Sequence, residues 1–326
     1  MDRRRFLPTS LAGAVAAPLA AGAQQARKVY RIGWIGIMPA APSDAGWEAF
    51  VAGLRELGYV EGRNIVFERR FTEDQGERNQ AYVAELVRME VDVILITDTR
   101  TGHAAKAGTS SIPIILLGVA DPDRTGLVAS LARPGGNVTG VSNQALALVT
   151  KGLHFLKEAL PRLTKLAVLW NPSNEASALG WRMNENYVRA LGMAAISGPI
   201  ANSAELEPAL AAVAAQRPGA LMVHAVMGLH RKRILEFALS QRLPTFVEDR
   251  RWAEAGALLT YSVSRADIGR SAAAYVDKVL KGVKPADLSV EQTTKYELVI
   301  NLRTAKALGL TIPSSLLARA DQVIDP

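Results

Sequence analysis

The chain of 326 residues contains no cysteine. Disulfide bonds, thiolate metal sites and thiol nucleophiles are therefore excluded, as is the cysteine on which a bacterial lipoprotein anchor is built. Aromatic residues make up only 6% of the chain and charged residues 21%, against 49% hydrophobic residues, which is an ordinary globular composition. The length exceeds what one hydrophobic core usually supports, so we expect two lobes.

Long apolar runs and concentrated positive charge are also absent. No stretch reaches the roughly 20 apolar residues needed to cross a bilayer, so we expect no membrane anchor. The formal net charge is +7, but the basic residues are scattered, with one tight cluster at Arg231, Lys232 and Arg233. Nucleic-acid binding would need a basic stripe with stacking aromatic residues, and we expect no such partner.

The N-terminus has the features of an export signal. Arg3, Arg4 and Arg5 precede Phe6 and Leu7, a mild apolar run follows, and small residues lie around position 23. This order is typical of a secretory signal, and the arginines favour the twin-arginine type. We therefore predict that residues 1–23 form a signal peptide cleaved near Ala23 and that the mature protein is periplasmic; a disordered basic tail is the alternative.

After residue 28, apolar runs typical of buried strands alternate with helical patterns. Strands that alternate with helices form parallel sheets with right-handed crossovers. This pattern predicts an α/β protein of two lobes, each with a parallel sheet. The predicted strands cover residues 29–37, 64–71, 91–97, 113–119, 138–142, 163–170, 194–200, 220–225, 244–248, 257–263 and 296–300. The segment 113–143 organises the chain, since one alternation ends there and a second begins.

Polar residues at the carboxyl ends of these strands mark the candidate site. Ligands of open parallel sheets bind beyond those ends, and two facing lobes would form a cleft there. Hydroxyl groups and helix N-termini suit a carboxylate, while carboxylates suit an ammonium, so the mixture fits a zwitterion. We predict ligand contacts from Met38, Ser43, Asp98, Thr99, Thr101, Ala120, Asp121, Asn171, Asn174, His224 and Tyr261.

Each of these residues also has a structural interpretation. Asp98, Thr99 and Thr101 can simply cap a helix, and a capping residue can contact a ligand as well. Asn171 precedes a proline and forms a turn signal with or without a ligand. Tyr261 at a strand end could equally belong to the core.

Catalytic and metal-binding motifs are missing from the sequence. It contains no G-x-S-x-G elbow, no Walker A loop and no H-E-x-x-H motif. The four histidines lie on separate predicted elements, and no two of them are spaced i,i+4. We therefore predict no catalytic residues, no metal and no cofactor.

Several segments resemble one protein family. These are LARPGGNVTG at 131–140, LWNPSN at 169–174, YVDKVLKGVKPADL at 275–288 and the segment 295–318. They are similar to the bacterial ABC-transporter substrate-binding proteins that include tryptophan and tyrosine binders, and the similarity extends over essentially the whole chain after the signal.

The resemblance implies a type I periplasmic-binding-protein architecture, with two Rossmann-like lobes and a ligand cleft between them. It places residues 29–143 and 257–283 in the N-terminal lobe, and residues 144–256 and 284–326 in the C-terminal lobe. The expected protein is a monomer that captures a small solute, such as an amino acid or a similar compound, and delivers it to an inner-membrane ABC permease. An exported sensor that presents its ligand to a membrane receptor and a secreted α/β enzyme are the alternatives.

The family's loop motifs match this sequence only in part. The Gly-Thr-Pro loop of the family falls on residues 98–100, where only Thr99 matches and Asp98 adds a charge. The Gly-Asp-Pro turn falls on residues 120–122 and matches at Asp121 and the following proline, and the Asn-Pro-x-Asn loop is retained at 171–174. The loop after His224 lacks the acid that relatives often carry, which leaves the ligand class open.

Overall fold

The computed structural model describes residues 28–38, 44–73 and 75–325, so the predicted signal peptide and Ser43 lie outside the described residues. Thirteen strands alternate with eleven helices along the described chain. The strands are β1 Tyr30–Gly36, β2 Ile65–Phe71, β3 Val93–Ile96, β4 Ile114–Val119, β5 Val138–Ser142, β6 Lys165–Trp170, β7 Ala194–Pro199, β8 Ala220–Val223, β9 Thr245–Val247, β10 Leu259–Val263, β11 Glu291–Gln292, β12 Tyr296–Asn301 and β13 Gln322–Ile324.

The helices cover the faces of two sheets. They are α1 Ala45–Glu56, α2 Arg78–Arg88, α3 Thr99–Gly108, α4 Ala145–Ala159, α5 Glu175–Ala190, α6 Leu206–Ala215, α7 Arg231–Ser240, α8 Arg250–Glu254, α9 Arg265–Leu280, α10 Leu302–Leu308 and α11 Ser314–Leu317. Every predicted strand is present, and the two-lobe α/β prediction is confirmed.

The strands form one sheet in each lobe. The first sheet has six strands in the order β11-β5-β4-β3-β1-β2, all of them parallel. The second has seven strands in the order β13-β12-β10-β9-β8-β6-β7, in which only the β10–β12 pair is antiparallel. The central strands are buried on both faces, which explains their unbroken apolar sequences.

The chain returns to the first lobe later than the sequence indicated. Residues 257–263 were expected there, but β10 pairs with β9 and β12 of the second sheet. Only the helix that follows, α9, packs against α1, β4 and β5. Conversely, Glu291 and Gln292 were expected in the second lobe, but β11 pairs with β5. An apolar run predicts a strand without indicating its partner, and a two-residue polar strand carries no apolar signal at all.

A close contact between α1 and α9 completes the first lobe. A Cβ atom added to Gly269 would lie 2.2 Å from the carbonyl oxygen of Gly46 and 2.9 Å from the backbone nitrogen of Phe50. The absence of a side chain therefore allows the two backbones to approach. This contact fixes the first turn of α9, which follows β10 of the opposite lobe.

Candidate ligand site between the lobes

A cavity of about 270 Å³ lies where the loops at the carboxyl ends of both sheets meet. Its walls include residues that follow β1, β3 and β4 of the first lobe and residues that follow β6, β8 and β9 of the second. This is the position at which open parallel sheets bind ligands. The cavity therefore lies in the predicted interlobe cleft.

The first lobe supplies an aromatic wall to the cavity. Trp34 of β1 and Trp47 of α1 both line it, with their ring centroids 5.1 Å apart in an edge-to-face arrangement. The guanidinium carbon of Arg69 lies 4.5 Å from the centroid of Trp47, so a cation already occupies a position over that ring. Met38 follows β1 and lines the same cavity.

Asp98 lies on the cavity wall at the N-terminus of α3. Its carboxylate accepts a hydrogen bond from the backbone nitrogen of Thr101 at 3.0 Å, as an N-cap does. The hydroxyl group of Thr101 lies 2.6 Å from Asp98 Oδ2 and 2.8 Å from Asn79 Oδ1. Burial raises the pKa of Asp98, and the bonds from Thr101 only partly oppose that rise.

His224 anchors a buried polar group on the second lobe. Its Nδ1 lies 2.8 Å from Ser177 Oγ, and its Nε2 lies 2.9 Å from Asn184 Nδ2. All three residues line the cavity and are at least nine-tenths buried. Burial lowers the pKa of His224 to about 4, so its ring is neutral at physiological pH. A neutral ring that bonds with Ser177 and Asn184 holds both side chains in place.

Glu248 follows β9 and faces the cavity without a cationic partner among the described residues. Its carboxylate accepts one hydrogen bond, from the backbone nitrogen of Ala225 at 3.1 Å. Burial, reinforced by the nearby charge of Asp249, raises the pKa of Glu248 to about 7. A carboxyl group in this state can lose its proton when a ligand brings a positive charge.

An ion-pair network connects the two lobes beside the cavity. Arg265 Nη2 lies 2.8 Å from Asp44 Oδ2, and Arg251 Nη1 lies 3.6 Å from the same atom. Arg251 also binds Asp249 through two of its nitrogens. Burial alone would raise the pKa of both aspartates, but the two arginines hold them below their ordinary value. Asp44 belongs to the first lobe and Arg251 to the second, so the network stabilises their approach.

Two polar atoms in the cavity wall have no protein partner. Ser262 is 3% exposed, and its hydroxyl oxygen makes no hydrogen bond within the described chain. Arg265 Nε is likewise buried and unbonded there. Buried polar atoms are costly unless they are satisfied, and these two belong to residues that line the cavity.

The structure separates the predicted site residues into two groups. Those that line the cavity are Met38, Asp98, Thr99, Ala120, Asp121, Asn174 and His224. Thr101, Asn171 and Tyr261 do not line it, and Ser43 lies outside the described residues. Thr101 is buried beneath Asp98, and the backbone of Asn171 bonds to Ser177. The Tyr261 ring packs against Phe155 and Tyr296 in the hydrophobic core.

Sequence reasoning missed much of the charged and aromatic wall. Arg251 and Arg265 lie in the first turns of helices, and their shared partner, Asp44, is distant in sequence, so no local pattern indicates that contact. Trp34 lies inside a strand, and sequence reasoning assigns an aromatic residue in that position to the hydrophobic core. Glu248 and Asp249 lie at the carboxyl end of the predicted strand 244–248, as ligand-binding residues should, but they were not among the predicted ligand contacts.

Among the residues of the described chain, no group of three or more His, Asp or Glu side chains is arranged to hold a metal ion. None of the described helices is both long enough and apolar enough to cross a bilayer.

Comparisons with known proteins relate this chain to solute-binding proteins. The family model for ABC transporter substrate binding proteins matches residues 38–324. A tyrosine-binding protein of Clostridioides difficile (strain R20291) is 26% identical over 272 residues, which cover 82% of this chain and 77% of that protein.

Solved structures show the same arrangement. A conserved domain protein from Vibrio cholerae is 26% identical, with a TM-score of 0.85 and coverage of 91% of this chain and 100% of that one. A domain from Streptococcus pneumonia in complex with L-Trp is 25% identical, with a TM-score of 0.83 and the same coverage. More distant type I periplasmic binding proteins share the fold, which confirms the predicted architecture. Because the family consists of solute-binding proteins, the prediction of a non-enzymatic protein is also confirmed. This chain belongs to the ABC transporter substrate-binding protein family.

Proposed function

We propose that this protein is the periplasmic solute-binding component of an ABC importer and that it binds an amino acid or a similar small compound between its lobes. The observation that carries the proposal is the cavity itself, whose wall combines unsatisfied donors, Ser262 and Arg265, with the carboxyl groups of Asp98 and Glu248. Donors suit a ligand carboxylate, and carboxylates suit an ammonium.

The nature of the relatives supports an amino-acid-like ligand. One curated relative is a tyrosine-binding protein, and one solved relative contains L-Trp. In this chain Trp34 and Trp47 provide an apolar wall of the kind that aliphatic or aromatic side chains contact.

Closure of the lobes around the ligand is the expected working motion. The TM-score is 0.83 with the L-Trp complex but 0.64 with a ligand-free, open substrate binding protein from Clostridium difficile that is 24% identical. The lobes described here are thus arranged more like those of the complex. A ligand that contacts both lobes would favour this arrangement over an open one.

Export and delivery complete the proposal. The arginine-rich N-terminus would direct the chain to the periplasm, with cleavage near Ala23, and the loaded monomer would bind an inner-membrane permease. Both steps can be tested by locating the processed protein in cell fractions and by measuring uptake in cells that lack its gene.

A thermal-shift screen tests the binding function. Residues 24–326 are heated with amino acids, amines, nucleosides, sugars and carboxylates, and each hit is titrated by calorimetry. A ligand at a hundredfold excess over its dissociation constant should add about 2.7 kcal/mol to the free energy of unfolding. One-to-one binding of an amino acid or amine supports the proposal, whereas stabilisation only by compounds without an amino group contradicts it.

A further inference from the structure

The carboxyl groups on the cavity wall outnumber the arginines. We relate this excess of acidic groups to the ligand and not to the stability of the fold. Arg251 and Arg265 are paired with Asp44 and Asp249 in the network between the lobes. Arg250, which also reaches the cavity, is bound by Glu297 at 2.8 Å and by Glu254 at 3.4 Å. The arginines on the wall are therefore already paired with carboxylates.

Asp98 and Glu248 make no salt bridge within the described chain, although the charge of Arg100 acts on Asp98 from a longer distance. No lysine, arginine or histidine nitrogen lies within salt-bridge distance of either carboxyl group in the described chain. The two residues belong to different lobes and line the same cavity. They are accompanied by the unbonded hydroxyl group of Ser262, which is nine-tenths buried and lines that cavity too.

We propose that the cavity selects a ligand with a net positive charge, such as a basic amino acid, and that Asp98 and Glu248 bind its cationic group with release of a proton to solvent. The inference rests on the proposed function and adds to it the charge class of the ligand. The step is balanced, because the O–H bond of a neutral carboxyl group breaks, its proton passes to the buffer, and the ligand's cation pairs with the carboxylate that remains.

The hydrogen bonds around Asp98 accommodate a neutral carboxyl group in the empty cavity. The hydroxyl group of Thr101 has one proton but lies within hydrogen-bond distance of two acceptors, Asp98 Oδ2 and Asn79 Oδ1. If Asp98 donates its proton to Thr101 Oγ1, the Thr101 hydroxyl group can donate to Asn79 and every contact is satisfied. With the amide of Asn79 oriented as described, an ionised Asp98 could not donate a hydrogen bond. The single hydroxyl proton of Thr101 would then satisfy only one of the two acceptor oxygens, Asp98 Oδ2 or Asn79 Oδ1.

The surroundings of Glu248 favour the same state. The charged and titratable groups that face the cavity with it are Asp44, Asp98, Asp121, His224, Asp249, Arg250, Arg251 and Arg265. His224 is neutral and these arginines are paired, so none of the described groups on the cavity wall is a free cation that could stabilise an ionised Glu248. Burial consequently raises the pKa of Glu248 to about 7, and an arriving cation would lower it again.

Matched ligand pairs provide the test. L-lysine and L-norleucine have side chains of the same carbon length but differ in the terminal ammonium group, and calorimetry compares them on the full mature chain. We expect lysine to bind about ten- to hundredfold more tightly, as for hydrogen bonds to charged groups. The affinity for lysine should rise about tenfold between pH 6 and pH 8, and the heat should depend on the ionisation heat of the buffer.

Variants assign the effect to the two carboxyl groups. Glu248→Gln keeps an acceptor for the backbone nitrogen of Ala225 but should abolish the pH dependence and most of the preference for lysine; Asp98→Asn should reduce the preference as well. Glu207→Gln removes an exposed carboxylate that pairs with Arg233 outside the cavity and should change neither. Thermal melts of the empty variants verify that each is folded.

The outcomes separate this inference from the function on which it rests. Lysine binding that is tighter than norleucine binding and releases a proton only with Glu248 present supports the inference. Equal affinity for the two compounds, or an unchanged preference in Glu248→Gln, overturns the inference and leaves the proposed function intact. Failure of every amino acid and amine to bind overturns both.

Discussion

Asp44, at the N-terminus of the first helix, and Arg251, in the second lobe, face each other across the cleft at 3.6 Å. Arg265 joins the pair at 2.8 Å from the same carboxylate oxygen. The lobes are therefore in direct ionic contact beside the cavity, and not only through the chain segments that cross between them. This contact contributes a stabilising term to the lobe arrangement described here, and that term does not depend on ligand.

Replacing Asp44 should weaken both the fold and the closed arrangement. Asp44→Asn leaves two arginines without their shared carboxylate while retaining a side chain that can cap α1. Because Arg251 and Arg265 are partly exposed, we expect a loss of about 1–3 kcal/mol in the free energy of unfolding. Chemical denaturation measures it, and Asp123→Asn, at an exposed position, is the control. Equal stability of the two variants would contradict an ionic connection between the lobes.

The contribution of Glu248 to the stability of the empty protein should be lost as the pH rises from about 4.5 to about 7. Burial raises the pKa of Glu248 from 4.5 to about 7, so in this range the folded state holds a proton that the unfolded chain has released. The loss from this group approaches about 3 kcal/mol at pH 8. Glu248→Gln should be more stable than the wild type at pH 8 and equal to it at pH 4. Thermal melts of both proteins without ligand measure this across the pH range. A stability difference between Glu248→Gln and the wild type that did not change with pH would contradict the assignment.

His224 should act in the opposite direction. The pKa of His224 falls from 6.5 to about 4 on folding. Below pH 6.5 the unfolded chain therefore binds a proton that the folded state does not bind. Stability contributed by this group is therefore lost as the pH falls from 6.5 towards 4, by up to about 3 kcal/mol.

Substitution of His224 separates its contribution from that of Glu248. His224→Ala removes the ring nitrogens that bond to Ser177 and Asn184 and leaves a buried space, and we expect a cost of about 2–4 kcal/mol at pH 7. The matched control is His103→Ala, because His103 Nε2 makes no hydrogen bond within the described chain. Denaturation at pH 5 and pH 7 checks both expectations. If His224→Ala loses as much stability at low pH as the wild type does, another group causes that loss.

The contact between α1 and α9 predicts a steric effect. Gly269→Ala places a methyl group 2.2 Å from the carbonyl oxygen of Gly46, so the helices must separate, at a cost of about 1–3 kcal/mol or more. Gly136→Ala is the control, since a Cβ atom there would have no neighbour within 4 Å. Urea denaturation compares the two, and a stable Gly269→Ala variant would contradict the close approach.

The sequence predicted the fold because buried parallel strands have a strong local signal. The apolar runs at residues 91–97 and 113–119 became β3 and β4, and the polar residues that follow them, Asp98 and Asp121, line the cavity. The rule that ligands bind beyond strand ends depends only on the order of elements, which local sequence specifies.

The features of the site that the sequence did not predict depend on contacts between residues that are distant in sequence. Arg251 and Arg265 reach Asp44 only after the lobes approach, and nothing near them in sequence indicates a partner more than 200 positions away. Tyr261 was expected at the end of a strand, but it lies in the middle of β10 and its ring packs against Phe155 in the core. The position of a residue within a strand and the direction of its side chain both depend on tertiary contacts, so the local sequence specified neither for Tyr261.

Calorimetry on a cavity-filling variant tests most directly whether ligand binds between the lobes. Ala176 lines the cavity at the start of α5 and carries none of its charges, so Ala176→Trp should fill the space while leaving the polar wall in place. We predict one-to-one binding of an amino acid or amine to the wild type and none to Ala176→Trp, with similar melting temperatures for the two empty proteins. Undiminished binding to a folded Ala176→Trp variant would contradict a binding site between the lobes.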